Sequence, residues 1–572
     1  MKKLIIATLL TFISLAIKGQ ETMQYLVGYG KTDITYVEDG LGLFGYGEYH
    51  QRIDAKNGFT SKIYSRVVAI KDPKTQQQII YLHADLGAIF HPLRTGLVEK
   101  IKANIDPDFE EACLMMSASH THCAPSGMSH YAVYMAPTPG YNPQLVEFIT
   151  TKMYESVEQA IESQALSTIE IKEGVFEPDV PVAFNRALKS YNKNKDIAQK
   201  YERHETNLAL NRNMPLMSFV DEKGKQRGFI NWFGVHPIEL MGDHNYIDGA
   251  SKGYAALYAE KTMDDNSVAI FAQSGAGDVM TSDYHNHEAF EKQMQSILKD
   301  STYKHNCSSL KQAEWNGKVQ AEKALEIREK QANLKVQGAI DCELIYIDLG
   351  NIKVAEAYAN GHKNARTSSP ILGAPFLSGL FYWNDKNPTR RRLNFIANTS
   401  KAIFKIRAPF VGSEMRKYRK MLYKSQSPKK IVVNGEEKSV VGVKLENSKK
   451  GFPKKFYKAV GKQDLVIQEM NRQQQLGALE EHTLLPQILP IQICRIGNIA
   501  IVGIPTEITT VAHNRLQKTI LDVLKETGIE AIFITSYANE YAGYTTTYEE
   551  YLNQRYEGGH TLYGKHQLGA FQ

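Results

Sequence analysis

Strand-like and helix-like segments alternate along almost the whole chain, and this alternation limits the folds it can adopt. The segment VVAIKDPKTQQQIIYLHADL predicts two strands joined by a turn, whereas PQLVEFITTKMYESVEQAIESQ carries apolar residues at helical spacing. The strand SVAIFAQ lies between two predicted helices, and a long polar helix is predicted over 309–336. Interspersed elements are typical of an α/β protein with mixed β-sheets and surrounding helices. We therefore expect a single large α/β domain.

The charge balance argues against nucleic acid as the main partner. The chain has 572 residues and a formal net charge of +6, from 68 Lys and Arg against 62 Asp and Glu. This excess is small for a chain of that length. Hydrophobic and charged fractions of 42% and 23% are near globular averages, which argues against a disordered, collagen-like or coiled-coil chain.

The start of the chain is typical of an export signal. Lys2 and Lys3 precede the apolar run LIIATLLTFISLAI, which is too short to span a bilayer comfortably. We expect residues 1–19 to be a signal peptide and residues 20–572 to form the exported protein, in the periplasm or outside the cell. The five cysteines include no CxxC pair, so a cysteine-built zinc site is not expected, and their odd number leaves at least one free thiol.

Residues 386–430 stand apart because they are strongly basic. They contain fourteen Lys and Arg residues and a single acidic residue, Glu414. One interpretation is a solvated insertion. The other is a patch that makes peripheral contact with a membrane through anionic head groups.

The segment MMSASHTHCAPSG carries two histidines that are two residues apart. In an extended segment such residues point to the same face, so His120 and His122 are expected to share one site. Imidazoles at this spacing suit two metal ligands, or one ligand and a proton-transfer partner.

Two further candidate ligands lie where predicted strands end. His236 precedes a proline after the strand FINWFGV, and Glu507 stands where VGIP passes into a helix. Each alone is more often structural. Together with the first histidine, they would fill three zinc positions and leave a fourth for water or substrate.

Two more segments draw attention, although each also has a structural explanation. SGAGDVMTSDY follows a strand, and its small residues either form a tight turn or allow close approach of a ligand. NEYAGYTTTYEEYLNQRYEGG is rich in tyrosines, which more often pack with a polar tip than act in chemistry. These tyrosines are Tyr541, Tyr544, Tyr548, Tyr551 and Tyr556.

Taken in order, the segments SASHTHCAP, FGVHP, QSGAGDV, IPTEIT and YAGYTTTYEEYLNQRYEG resemble the catalytic domain of the neutral (alkaline, non-lysosomal) ceramidases. The opening segments VGYGKTDIT, GYGEYHQ and HADLG fit as well, so the resemblance covers roughly residues 25–572. It implies one catalytic zinc ion (Zn2+) per chain and hydrolysis of ceramide to a sphingoid base and a fatty acid. The zinc ligands implied by motif position are His120, His236, Glu507 and Tyr544.

The resemblance also implies roles for other residues. His122 matches the proton-transfer histidine of the family. Tyr556 and Arg186 match groups placed near the amide oxygen. Gly277, Asp278 and Met280 are expected to line the substrate pocket.

Three departures from the family are visible. Met280 stands where the GDV run of the family continues with a serine. The immunoglobulin-like domain that commonly follows the catalytic domain is expected to be missing. Residues 386–450 match poorly and are expected to be a divergent insertion.

The leading hypothesis is therefore an exported zinc-dependent amidase that acts on ceramide-like lipids or another N-acyl amine. The alternatives are a zinc hydrolase of the same scaffold that cleaves a different amide or ester, and a catalytically impaired lipid-binding relative.

Overall fold

The computed structural model describes residues 23–45, 51–135, 140–264, 266–377, 388–407, 412–440, 443–444 and 483–572, with isolated positions between 454 and 475. The expected signal peptide, residues 1–19, lies outside these residues. None of the helices in the described part is both long enough and apolar enough to cross a membrane.

The strands run throughout the described chain. They are β1 (Tyr25–Asp33), β2 (Tyr64–Lys71), β3 (Gln78–Ala84), β4 (Leu114–Ala118), β5 (Ala165–Lys172), β6 (Phe184–Asn185), β7 (Leu216–Asp221), β8 (Gln226–Trp232), β9 (Val268–Ala272), β10 (Val279–Met280), β11 (Leu334–Lys335), β12 (Ile340–Asp348), β13 (Ile371–Gly373), β14 (Ile431–Asn434), β15 (Ser439–Val440), β16 (Val443–Lys444), β17 (Ile488–Ile496), β18 (Ile499–Gly503), β19 (Glu507–Ile508), β20 (Ala531–Thr535) and β21 (Tyr544–Thr545).

The helices are distributed between the strands. They are α1 (His91–Asn104), α2 (Ala132–Met135), α3 (Pro143–Glu162), α4 (Leu188–Tyr191), α5 (Ala250–Met263), α6 (His287–Ile297), α7 (Leu310–Arg328), α8 (Ala374–Leu377), α9 (Pro388–Arg407), α10 (Ser413–Gln426), α11 (Thr510–Leu524), α12 (Tyr548–Asn553), α13 (Tyr556–His560) and α14 (Gln567–Phe571).

The largest sheet of the described chain has nine strands in the order β4-β3-β2-β1-β5-β7-β8-β9, with β11 also paired to β5. Most pairs are antiparallel, but β3–β4 and β8–β9 are parallel. A second sheet has the order β12-β17-β18-β20 and is also mixed. The prediction of an α/β fold with mixed sheets is confirmed.

The two sheets pack face to face through aromatic side chains. Trp232 at the end of β8 stacks on Phe533 of β20, with ring centroids 4.7 Å apart. The indole of Trp232 also donates a hydrogen bond to Thr535 Oγ1 over 2.9 Å. The end of β8 is thereby fixed against the end of β20, and the loops that follow these strands lie close together.

Helix α3 covers the large sheet on its other side. Asn142 caps the helix by accepting a hydrogen bond from the Leu145 amide, and Pro143 occupies the first turn, where no amide donor is needed. The helix lies so close to β1 that a Cβ atom on Gly30 would stand 1.8 Å from the carbonyl oxygen of Ser156. Glycine is therefore required at this crossing.

The predicted polar helix over 309–336 is too long. Helix α7 ends at Arg328, and Leu334 and Lys335 pair with β5 as a short strand. Tertiary pairing with an available strand outweighs the polar pattern here. The basic segment forms the two helices α9 and α10 where it is described.

Candidate metal and catalytic site

His120 is held at the end of β4 by the neighbouring strand. The amide of Ser119 bonds the Ala84 carbonyl, and the amide of His120 bonds the Leu86 carbonyl over 2.9 Å. The backbone of His120 has a φ of 66°, in the left-handed region that few non-glycine residues adopt. Such conformations persist where the surrounding structure enforces them, and they cluster at functional sites.

His236 follows β8 and is fixed by a second loop. Its amide donates to the Val279 carbonyl over 3.0 Å, and its backbone forms a parallel bridge with Met280. Its Nδ1 atom lies 2.7 Å from the Ala276 carbonyl oxygen and 2.9 Å from that of Val279. A carbonyl can only accept, so Nδ1 carries a proton, and in the neutral ring this leaves Nε2 as the nitrogen whose lone pair faces the site.

Glu507 and Tyr544 are brought together by the short parallel strands β19 and β21. These residues are direct partners in the register, and the Glu507 amide bonds the Gly543 carbonyl over 2.8 Å. Both side chains are buried. The hydroxyl of Tyr544 lies 3.4 Å from His236 Nε2.

His120, His236 and Glu507 can together hold a metal ion. Their candidate ligand atoms all lie within 4.8 Å of one another. His120 Nδ1 donates to the Gly87 carbonyl over 2.6 Å, so His120 also turns an Nε2 lone pair toward the site. Its Nε2 is 3.6 Å from Glu507 Oε1, and His236 Nε2 is 2.7 Å from Glu507 Oε2.

The protonation states also fit a cation at this position. Burial lowers the pKa of His120 to about 4, so the ring is neutral at pH 7. Burial opposes ionisation of Glu507, but the two adjacent imidazoles hold the pKa of its carboxyl below the usual range. Nitrogen lone pairs and a carboxylate would repel one another at these distances, and a divalent cation removes that repulsion. Metal-ligating histidines usually donate their other ring N–H to a carbonyl or carboxylate, as Nδ1 of both histidines does here.

Two tyrosines orient the carboxylate of Glu507. Tyr541 donates a short hydrogen bond to Oε1, and Tyr537 donates to Oε2 over 3.3 Å. The ring of Tyr537 also stacks on His120 with centroids 4.3 Å apart. The sequence offered no signal for Tyr537, and it did not separate Tyr541 from the other tyrosines of its segment.

His122 lies beside the three candidate ligands without belonging to their group. Its Nε2 atom is 3.3 Å from His120 Nε2. The backbone at Gly45 approaches the ring so closely that an added Cβ would lie 2.4 Å from Nδ1. Burial, reinforced by the adjacent imidazoles, lowers the pKa of His122 well below its ordinary value. The ring is therefore neutral and able to accept a proton at pH 7.

Arg186 connects the candidate ligand Tyr544 with Tyr556. Its Nη2 group donates to the Tyr544 hydroxyl over 2.9 Å and to the Gly277 carbonyl over 2.8 Å, and its Nε group donates to Glu557 over 3.0 Å. The guanidinium carbon lies 5.6 Å from the centre of the Tyr556 ring. The Tyr544 and Tyr556 rings are 5.7 Å apart.

The loop over 277–280 braces this arrangement. A Cβ on Gly277 would stand 2.8 Å from the Glu507 carbonyl oxygen, so a glycine allows the loop to meet β19. Asp278 Oδ1 accepts hydrogen bonds from the amide and hydroxyl of Thr510 at the start of α11. Met280 is fully buried, and its backbone adjoins His236 and pairs with Phe184 of β6.

Aromatic residues that the sequence did not single out surround the site. The ring of Phe44 contacts the rings of His120 and His122 at 5.7 and 6.0 Å. His560 of α13 packs on Phe376 of α8 at 3.9 Å, and its Nε2 is 3.2 Å from the hydroxyl of Tyr134. These residues come from segments far apart in the chain, so only the tertiary structure brings them together.

Comparisons of sequence place the chain among known proteins. A family model for the N-terminal region of neutral/alkaline non-lysosomal ceramidases matches residues 25–447 and 459–572. A neutral ceramidase of Pseudomonas aeruginosa is 26% identical, covering 100% of this chain and 73% of its own. A neutral ceramidase of Mycobacterium tuberculosis is 24% identical over 95% of this chain and 75% of its own.

Solved structures agree with this result. The crystal structure of the Pseudomonas aeruginosa neutral ceramidase superposes with a TM-score of 0.72 at 25% identity, over 96% of this chain and 73% of that one. A ceramidase complexed with C2 gives a TM-score of 0.73 at 24% identity, over 96% and 74% of the two chains. With a family model that matches nearly all of the described residues, the chain belongs to the neutral/alkaline non-lysosomal ceramidase family.

Proposed function

We propose that this protein is a zinc-dependent amidohydrolase that cleaves the N-acyl amide of ceramide-like lipids. Family membership supports a ceramide amide as the substrate. The observation that carries the metal is the convergence of one ligand atom each from His120, His236 and Glu507 within 4.8 Å, with Nδ1 of both histidines bonded to backbone carbonyls. Without a cation, the 2.7 Å contact between His236 Nε2 and Glu507 Oε2 needs a proton between the two atoms.

The residues that would hold the ion are His120, His236, Glu507 and Tyr544. When bound, zinc supplies a Lewis acid that polarises the amide carbonyl and makes water a better nucleophile at neutral pH. This donor set of nitrogen and oxygen atoms is one that zinc accepts.

His122 would manage the proton in this reaction. It accepts a proton at Nε2 from the attacking water, whose oxygen bonds to the carbonyl carbon. It then returns that proton to the amide nitrogen as the C–N bond breaks. The products are a free amine (the sphingoid base) and a fatty acid, which together account for the amide and one water molecule.

Arg186 and Tyr556 would stabilise the negative charge on the amide oxygen. Nε and Nη2 of Arg186 are engaged with protein groups, so among its described contacts Nη1 is the donor that remains for substrate. Preorganised donors of this kind contribute about 2–4 kcal/mol each to transition-state stabilisation.

Mass spectrometry of reaction products tests the proposal. Zinc-loaded protein is incubated with ceramides and with other N-acyl lipids and peptides, and the released amine and acid are identified. Release of sphingosine and fatty acid from ceramide, lost on removal of the metal and restored by zinc, supports the proposal. No amide cleavage by the metal-loaded protein would contradict it.

Met280 favours a second candidate, a zinc hydrolase of the same scaffold that acts on another amide or on an ester. The side chain is longer and more apolar than the serine that the family has here, and its backbone adjoins His236. Preferential cleavage of a non-ceramide member of the same panel would favour this candidate.

We also propose that the protein is exported. The support is the basic start followed by a short apolar run in residues 1–19. Mass spectrometry of the mature N-terminus tests this, since an intact Met1 on protein from the cell's exterior or periplasm would contradict cleavage.

A further inference from the structure

Helix α9 exposes apolar residues on one face. Phe395 is 71% exposed and Ile406 is 73% exposed, the two highest values among the large hydrophobic residues of the described chain. They are eleven positions apart, which corresponds to about three turns, so both lie on the same side of the helix. Arg391 and Ala402 are exposed at compatible positions, whereas Ala397 is buried.

Helix α10 adds a basic face next to this apolar one. Its exposed residues recur at intervals of three or four positions, and four of them are basic: Arg416, Lys417, Lys420 and Lys424. Glu414 is the only acidic residue of 386–430, and it pairs with Lys417. The two helices meet where the Lys401 ammonium lies 5.1 Å from the centre of the Tyr423 ring.

Both helices are tied to other parts of the described chain by hydrogen bonds. Gln426 at the end of α10 donates to the Leu562 carbonyl over 2.7 Å, and Tyr551 donates to Gln426 Oε1 over 2.9 Å. Lys430 donates to Asn398 of α9 over 2.7 Å. The exposed residues therefore stand on a fixed platform, and packing within the described part of the chain does not cover them.

This platform adjoins the candidate site. Helix α8 contacts α9, and its Phe376 ring lies 4.8 Å from Tyr556 and 3.9 Å from His560. One short helix thus separates the exposed face from the residues that surround the proposed reaction.

We propose that the outer faces of α9 and α10 dock on an anionic lipid bilayer. Basic side chains are attracted to anionic head groups, and exposed Phe and Ile side chains gain by entering the interface. Nucleic acid would complement the basic side chains but would leave Phe395 and Ile406 in water, so a lipid bilayer is the better match. This inference goes beyond the proposed function and does not depend on amide hydrolysis.

Flotation with ceramide-free vesicles tests the docking directly. The metal-loaded protein is mixed with vesicles of phosphatidylcholine alone, or of phosphatidylcholine and phosphatidylglycerol. We expect binding to the anionic vesicles, little binding to the neutral ones, and release at high salt. The double variants F395S/I406S and R416E/K420E should each lower the affinity more than about tenfold.

Matched variants elsewhere on the surface control for general effects. V523S/I488S removes two residues that are also 62% exposed, and K318E/K330E reverses one exposed charge on α7 and one just after its end. Both should bind vesicles as the parent does, and all four variants should unfold at similar temperatures. The proposal is overturned if the parent binds neither vesicle, if F395S/I406S binds undiminished, or if a duplex oligonucleotide binds more tightly than the anionic vesicles.

Discussion

Glu507 and Tyr544 are direct partners across the parallel strands β19 and β21, which puts a carboxylate and a phenol side by side. The carboxylate also meets His236, since Glu507 Oε2 lies 2.7 Å from His236 Nε2. Strands of two residues are enough to pair Glu507 with Tyr544, because the Glu507 amide donates a hydrogen bond to the Gly543 carbonyl. The proposed zinc ligands thus depend on backbone register as much as on side-chain chemistry.

Removing a proposed ligand should remove the metal. H236A and E507A are expected to lower zinc content from about one ion per chain to a small fraction, because each removes one of the four proposed ligands and leaves a buried site with incomplete coordination. Elemental analysis after dialysis measures this. H91A, which changes an exposed histidine on α1, is the control and should keep its zinc. Full zinc retention in both ligand variants would contradict the site.

The tyrosines behind Glu507 should tune its affinity for zinc. Y541F removes the hydroxyl that donates to Oε1, and we expect a loss of about 10–100-fold in zinc affinity. Y537F should have a smaller effect, since its hydrogen bond is 3.3 Å long. Competition with a chromophoric chelator gives both values. Y25F is the control, because Tyr25 is a buried tyrosine whose hydroxyl donates to the Gly338 carbonyl, and neither residue contacts a proposed ligand in the described structure. An unchanged affinity in Y541F would show that the carboxylate needs no support.

His122 should be required for turnover and not for zinc. H122A is expected to retain the metal and to lose about 10²–10⁴-fold in kcat, the usual contribution of a general acid–base group. The physical reason is that His122 is neutral and close to the proposed ligands but outside their group. Parallel zinc analysis and single-turnover kinetics separate the two roles. Loss of zinc along with activity would make His122 a ligand.

The fold class follows from local patterns, but several boundaries do not. The apolar spacing of PQLVEFITTKMYESVEQAIESQ predicts a helix, and α3 runs over Pro143–Glu162. The polar pattern over 309–336 predicted too long a helix because it holds no information about the stretch of β5 that β1 leaves unpaired, to which Leu334 and Lys335 add. Edge pairing is a tertiary effect that single-sequence periodicity does not contain.

The residues of the candidate site were also only partly predictable from the sequence. His120, His236 and Glu507 were identifiable because strand ends and spacing mark them, and the family resemblance implied Tyr544 as a ligand. Tyr537 and Phe44 could not be identified from the sequence. Tyr537 reaches the site by stacking its ring on His120, and Phe44 contacts the same histidine from the loop before β2. Their roles depend on distances between segments that are separated along the chain.

Cys342 and Cys494 should form a disulfide under mild oxidation. They are direct partners in the antiparallel pair β12–β17. Direct partners have Cα separations of about 4.5–5.5 Å, within the range that disulfides need. Oxidised glutathione would take two electrons and two protons from the thiols and yield two reduced glutathione molecules. Closing a long loop should raise the free energy of unfolding by about 2–4 kcal/mol.

Peptide mapping without reductant identifies this bond. C342S should abolish both the cross-link and the gain in stability. C307A, which removes an exposed cysteine, should leave both intact. Oxidation that yields only a glutathione adduct on Cys307 would contradict the pairing.

Met280 should set substrate preference without disabling the enzyme. Its backbone adjoins the proposed ligand His236, and the proposed ligands and His122 do not include it. M280S restores the hydroxyl that the family has here and removes an apolar side chain. We expect it to raise kcat/KM for long-chain ceramide relative to other N-acyl amines, because a hydrogen-bonding group returns beside the scissile amide.

The control for this change is M280A, which makes a similar space without a hydroxyl. Both variants should lose stability, since shortening a buried methionine costs about 2–5 kcal/mol, and unfolding temperatures must be compared before rates. T281A and S282A test whether a neighbouring hydroxyl already replaces the missing one. If the native protein cleaves no N-acyl amide and M280S alone restores ceramide hydrolysis, Met280 is a disabling change and the chain is an impaired relative. If M280A shifts the preference as much as M280S, space rather than the hydroxyl determines the substrate.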